Sequence, residues 1–215
     1  MTVRRKTCDI IYNPQGINIL DCWMSEPNVR ANIGKALKGR REKWIIQGHF
    51  GSTWQNGQYV RTRDMEQVVP AFEDLLTRLQ TDYIDLGMIH FVDTPEDWET
   101  VVNGPFLRYV LEQKKEGVIR HIGMSTHNPA MAKKAVESGI VEMILFSINP
   151  AFDLMPPTED LDAYFAEQYD EHLGGMDPAR AELYKLCESR NIGITVMKGY
   201  AGGRLFDAAR SPFGV

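Results

Sequence analysis

At 215 residues the chain can bury one sizeable core, and its 43% hydrophobic content is ordinary for a globular protein. A formal net charge of -5 argues against non-specific nucleic-acid binding, which needs clustered Lys and Arg; the run Arg4-Arg5-Lys6 reads as a solvated segment. No apolar stretch approaches the roughly 18 residues of a membrane span and no signal-peptide core is visible, so cytoplasm is expected, while Cys8, Cys22 and Cys187 are too scattered for a disulfide framework or a zinc site.

Along the chain, short apolar runs alternate with amphipathic segments. Strands are expected over 17–20, 44–47, 84–89, 118–124, 143–148 and 192–197, each nearly continuous in apolar residues, as strands of a buried parallel sheet are. Between the second and third, Met65, Val68, Val69, Phe72, Leu75, Leu76 and Leu79 fall at the helical period, with Pro70 expected to bend the helix or to begin it. Thr94-Pro95-Glu96-Asp97 and Asp177-Pro178 read as caps followed by a first-turn proline.

Strands alternating with helices predict an α/β fold with a parallel sheet. No GxGxxG turn marks a doubly wound sheet. Polar residues instead gather just past the strand ends: Asp21, His49, His90, Ser125 with Asn128, Asn149 and Lys198. That placement is how a (β/α)8 barrel of the TIM type builds its site. Such a barrel takes about 250 residues and eight units, and six are legible, so the expectation is one incomplete barrel domain over 1–215. The segment 150–177 is rich in Asp and Glu, lacks Lys and Arg, and carries Phe152, Tyr164, Phe165 and Tyr169. It is expected to form an acidic lid over the barrel mouth or a solvated insertion.

The tracts "GINILDCWMSEPNVRANIGKAL", "LLTRLQTDYIDLGMIHFVD", "VIRHIGMSTHNP", "ILFSINPAFD" and "ITVMKGYAGGRL" resemble, in order, the aldo-keto reductase superfamily. That resemblance implies a (β/α)8 barrel binding NADPH and acting on a small carbonyl or alcohol, with this chain matching strands two to seven. The family works with an aspartate, a tyrosine, a lysine and a histidine. Asp21 matches the aspartate and His90 the histidine, whereas Glu26 stands where the tyrosine belongs and His49 where the lysine belongs. The same pattern resembles a branch of longer proteins with a [4Fe–4S] cluster in a C-terminal segment not present in this chain.

The catalytic candidates are therefore Asp21, Glu26, His49 and His90. His90 is ranked first as polariser of a carbonyl and His49 next as proton donor, because an imidazole titrates near 6.5. Glu26 would serve only if burial raised its pKa, and before Pro27 it also reads as a helix cap. For the cofactor, the resemblance implies Ser125 and Asn128 at the nicotinamide carboxamide, although Leu145 replaces an expected glutamine. Lys198 with Gly202, Gly203 and Arg204 suits a pyrophosphate after strand seven. NADP(H) over NAD is inherited from the resemblance. Two other readings stay open: a barrel that binds nucleotide or a redox partner without turnover, and a metal-dependent hydrolase or isomerase using Asp21, His49, His90 and His127. Trp54 is placed in a loop that could line a substrate pocket, His121 is read as structural, and no feature specifies an oligomeric state.

Overall fold

The computed structural model describes residues 16–148, 178–200, 203 and 206–208. The acidic segment 150–177 with its expected lid lies outside the described residues, as do Asn149, Gly202 and Arg204. In chain order the elements begin with β1 (Ile19–Cys22), α1 (Pro27–Leu37), β2 (Ile45–Phe50), β3 (Ser52–Gln55), β4 (Gln58–Arg61), α2 (Met65–Leu79) and β5 (Ile84–Ile89). They continue with α3 (Pro95–Asn103), α4 (Pro105–Lys115), β6 (Ile119–Thr126), α5 (Pro129–Ser138), β7 (Met143–Ser147), α6 (Pro178–Ser189) and β8 (Gly193–Met197). One sheet has the order β1-β2-β5-β6-β7-β8, and β3 with β4 forms a separate antiparallel hairpin. All six expected strands are present. β1 is shifted, running Ile19–Cys22 rather than 17–20, which brings Asp21 inside the strand and opposite Gln47. Among the described residues no helix is long and apolar enough to cross a membrane.

The chain falls into two compact units, 1–90 with 100–122, and 91–99 with 123–215. In the first, β1, β2 and β5 run parallel in the registers Asp21↔Gln47 and Gly48↔Gly87. Both glycines are dictated by packing. A Cβ at Gly48 would stand 2.7 Å from Leu75 Cδ2, and one at Gly87 2.7 Å from Ile119 Cδ1. The helical stripe read from the sequence is the buried face of α2: Val68, Phe72, Leu75 and Leu79. Phe72 stacks on Phe50 with centroids 4.1 Å apart, and burying each such side chain contributes roughly 1.5–3 kcal/mol. Pro70 neither starts nor ends α2. Asp64 caps that helix through Glu66 N–H at 3.0 Å, and Gln80 closes it in the left-handed region.

In the second unit β7 lies parallel between β6 and β8, with Gly123↔Met143 and Met143↔Gly193. Its core gathers Ile144, Phe146, Ala132, Ala135, Leu183 and Cys187. Arg180 is buried here, its guanidinium 4.6 Å from the Phe146 ring and donating to the Ser147 carbonyl at 2.5 Å. Thr94 caps α3 as expected, accepting from Asp97 N–H at 3.2 Å. His121, read as structural, is exposed on β6.

Candidate active site

Three of the sequence candidates meet in the first unit. Asp21 sits on β1, His49 on the neighbouring β2, and His90 directly follows β5, its amide held by the Phe50 carbonyl at 3.0 Å. Asp21 Oδ1 lies 2.8 Å from His49 Nε2, and His49 Nδ1 lies 2.7 Å from His90 Nδ1. The imidazoles meet edge to face and are buried, whereas the Asp21 side chain is 33% exposed. His90 Nε2 is in turn 2.6 Å from the hydroxyl of Tyr59. Four side chains thus form one hydrogen-bonded file.

The file has a direction. Two nitrogens facing each other share one proton, so one imidazole donates and the other accepts. With Asp21 ionised, His49 Nε2 carries a proton and donates to it. His49 Nδ1 then accepts from His90 Nδ1–H, and His90 Nε2 accepts the Tyr59 O–H. Adding one proton reverses the outer end: whichever ring takes it, His90 Nε2 becomes N–H and donates to the Tyr59 oxygen.

Sequence reading placed Trp54 in a loop and did not single out Tyr59. The signal was there. Asn56 and Gly57 have φ of 51° and 79°, the pair of left-handed residues that a two-residue type I′ hairpin demands, and Asn-Gly is its strongest sequence mark. The hairpin register puts Tyr59 opposite Trp54. Gly51, at φ 90°, is where the chain leaves β2; a Cβ there would meet the Thr62 carbonyl at 2.8 Å. Side chains then pin the ribbon. Ser52 donates to the Trp23 carbonyl at 2.5 Å and Ser25 to the Thr53 carbonyl at 2.6 Å. The buried Arg30 of α1 reaches the carbonyls of Ser52, Met24 and Ala71. Trp23 packs edge-on against Tyr59 with centroids 5.7 Å apart, and Arg63 donates to the His90 carbonyl at 2.7 Å.

Glu26 is built differently. It is the N-cap of α1, with Oε2 accepting from Val29 N–H at 2.6 Å and Oε1 from Asn28 Nδ2 at 2.8 Å. These backbone and side-chain donors hold its carboxyl below the usual carboxylate range. Its carboxylate caps α1, the helix-cap reading that the sequence also carried for it. Both ring nitrogens of His49 are engaged, by Asp21 at 2.8 Å and by His90 at 2.7 Å.

The second unit has its own polar cluster. Asp93 accepts from His127 N–H at 2.7 Å, from the Thr126 hydroxyl at 2.6 Å and from His127 Nδ1 at 2.9 Å. Burial raises the Asp93 carboxyl, but the His127 and Thr126 hydrogen bonds outweigh it and leave the group below the usual range. Burial lowers the His127 imidazole. Asn128 caps α5 through Ala130 N–H at 2.9 Å, and its Nδ2 donates to the Asp93 carbonyl at 2.9 Å. Ser125 Oγ accepts from Phe91 N–H at 2.8 Å. Lys198 follows β8, and burial pulls its ammonium down to about 8 although Asp93 acts the other way. Phe91 and Lys198 both adopt left-handed φ, 54° and 58°, a strain of order 1–3 kcal/mol each that proteins tend to keep at functional sites. Gly203, at φ 97°, closes a turn onto the Tyr200 carbonyl.

Residues 15–214 match a family model described as the aldo/keto reductase family. Among curated sequences, the uncharacterized oxidoreductase YqkF of Bacillus subtilis (strain 168) is 30% identical over 145 residues, 66% of this chain and 45% of that protein. Methylglyoxal reductase DkgB of Escherichia coli O157:H7 is 33% identical over 78 residues, 36% of this chain and 28% of that protein. Among solved structures, aldo-keto reductase AKR11C1 from Bacillus halodurans (holo form) superposes with a TM-score of 0.71 at 25% identity, covering 94% of this chain and 58% of that one. An aldo/keto reductase from Klebsiella pneumoniae in complex with NADP and acetate shares the fold alone, with a TM-score of 0.60 at 16% identity over 97% of this chain and 63% of that one. The chain spans less than half the length of the two curated relatives. These likenesses assign the expected (β/α)8 class, of which the described parallel sheet supplies six strands. Nothing in them supports the iron–sulfur cluster expected of the longer branch.

Proposed function

The chain belongs to the aldo/keto reductase family, and from that premise we propose that it exchanges hydride between a nicotinamide dinucleotide and a small carbonyl or alcohol. The observation that carries the reading is the file Asp21–His49–His90. A carboxylate and a histidine stand where the resemblance puts the family's aspartate and histidine, with a second histidine in the lysine's place joining them at 2.8 and 2.7 Å. In this reading His49 and His90 move a proton between the partly exposed Asp21 and the outer end of the file, the work that a lysine and an aspartate do in the usual set. General acid–base help of this kind contributes typically 10²–10⁴-fold.

For the dinucleotide, the donor set of the second unit fits an anionic group. The partly buried Lys198 ammonium supplies charge, and Gly203 leaves open space where a Cβ would stand. Ser125 and Lys198 are the described residues proposed to hold it, with Gly203 beside them. Asn128, engaged at both ends of its amide, is proposed to shape the loop instead. When bound, the nicotinamide would supply or accept the hydride. Preference for NADP(H) rests on the family resemblance, and a small oxoaldehyde or ketone is the substrate class to try first. The metal-dependent alternative has less behind it, because among the described residues no three His, Cys, Asp or Glu side chains are grouped to hold an ion.

The test uses the full chain with NADPH and NADH. Quenching or blue shift of nicotinamide fluorescence, followed by its oxidation across a panel of aldehydes and ketones, is the expected result. Absence of nucleotide binding would sink the reading. Binding without turnover would favour a nucleotide-binding barrel, the reading consistent with a capping Glu26.

A further inference from the structure

Resting on the reading above, we infer that the hydroxyl of Ser147, at the end of β7, hydrogen-bonds the carboxamide of the nicotinamide and so helps to fix that ring for hydride transfer. The starting observation is a polar atom that the fold leaves unanswered. Ser147 is 4% exposed, and its Oγ, shut off from solvent, meets no hydrogen-bond partner among the described residues. Its backbone differs, since the carbonyl accepts from the Arg180 guanidinium. The large majority of buried hydroxyls in native proteins are paired, because an unpaired one loses its hydration and gains nothing. Ser147 also stands at a strand tip, the end at which a barrel builds its site.

The strand fixes which way the hydroxyl faces. Side chains alternate along β7. Phe146 packs against α6, with the Arg180 guanidinium 4.6 Å and the Tyr184 ring 6.4 Å from its centroid. Leu145 and Ser147 therefore face the other side of the sheet. Register puts Ser125 beside Leu145 and Met197 beside Ser147, so Ser125 and Ser147 share that side, one strand and two residues apart. Lys198 follows Met197 directly. Methionine is unbranched and adapts its rotamer readily, so a ligand can reach the Ser147 hydroxyl without moving β7.

The chemistry selects the group that is bound. Neighbouring strands lie about 4.8 Å apart and two residues rise about 6.6 Å, which sets the two serines about 8 Å apart. A carboxamide with a hydrogen bond of about 2.9 Å at its oxygen and another at its nitrogen bridges such a gap. A hydroxyl donates once and accepts twice. Ser125 Oγ, which accepts from Phe91 N–H at 2.8 Å, and Ser147 Oγ can therefore answer both ends of the amide, one donating to its oxygen and the other accepting from its nitrogen. Both serines are uncharged and suit an uncharged amide, whereas the phosphates of the same dinucleotide belong with the Lys198 ammonium. A pyridine ring held by both ends of its amide cannot turn about its bond to the ribose, and it presents one face to the substrate.

Ser147→Ala in the full chain is the test, read in three ways. Removing an unpaired buried hydroxyl takes nothing from the ligand-free fold, so the melting temperature should equal or exceed the native value. NADPH, titrated by its fluorescence, should bind about tenfold more weakly for the loss of one hydrogen bond. The 2′-phosphate of ADP-ribose, the same molecule without its nicotinamide, should bind native and variant protein within about twofold of each other by calorimetry. If native protein binds NADPH and the variant matches it within about twofold, this inference falls and the oxidoreductase reading stands. An equal loss for the fragment overturns it as well, because the hydroxyl would then act away from the carboxamide. A variant that is markedly destabilised or fails to fold overturns it at the first measurement, since the hydroxyl would then be holding the protein. Native protein that binds no NADPH removes inference and reading together.

Discussion

Arg30 offers the sharpest test of how the hairpin is held. Its residue is 1% exposed, and its guanidinium donates to the carbonyls of Ala71 at 2.8 Å, Met24 at 3.4 Å and Ser52 at 3.4 Å, with Asp74 at 3.3 Å. Replacing it by Ala leaves three carbonyls short of a charged donor. The short bond to Ala71 is worth about 2 kcal/mol and the two long ones about 0.5 kcal/mol each, given roughly 1.5–3 kcal/mol for good geometry. Asp74 adds little, because it keeps Arg78 at 2.6 Å and is 35% exposed. Losing the buried stem adds about 1 kcal/mol. Arg30→Ala should therefore destabilise by about 4 kcal/mol, lowering the melting temperature by about 10 °C for a chain of this size. Arg30→Lys should recover less than half, since an ammonium cannot spread donors as a planar fork does. Urea unfolding followed by circular dichroism measures it. A loss below about 1 kcal/mol would refute the idea that a buried guanidinium ties β3 to α1 and α2.

Stability should depend on pH through the Asp93–His127 pair. The His127 pKa is lowered below 6.5, so the unfolded chain takes a proton that the native ring refuses, and stability present above pH 6.5 is lost as pH falls through it. Asp93, held below 3.8, adds a further loss only under that value. Urea midpoints should stay level above neutrality and drop on acidification, and His127→Asn should flatten the step nearest 6.5. Lys198 titrates at about 8, so NADPH affinity should weaken as pH rises through that value. Lys198→Met should weaken binding about tenfold at neutral pH, one charge-assisted bond of roughly 1.4 kcal/mol. Lys198→Arg should keep it above that pH, and fluorescence titration across pH reads both.

The parallel strands were legible because a strand covered on both sides is nearly continuous in apolar residues, and the runs at 84–89 and 143–148 carry that mark in one dimension. Asp21 and His90 were legible for a related reason: a charged or titratable residue ending such a run is costly unless something answers it. Glu26 carried two readings, proton donor and helix cap, that sequence cannot separate. Only the turn of chain around Val29 and Asn28 decides that its oxygens cap a helix. Asn128 shows the same limit, since its amide could face a ligand or, as found, Ala130 and Asp93.

What the sequence determined by itself was therefore the alternation of elements and the residue types at the strand tips, both of which are local matters of period and burial. What only the tertiary structure decided was who meets whom. His49 and His90 lie 41 residues apart in the chain, and Tyr59 and His90 31 apart; no periodicity records such a meeting. It comes from parallel register across β1, β2 and β5, together with a glycine that lets the chain turn out of β2 into a hairpin pinned by Ser25, Ser52 and Arg30. A proton file needs atoms within hydrogen-bond reach, and that precision is a property of packing.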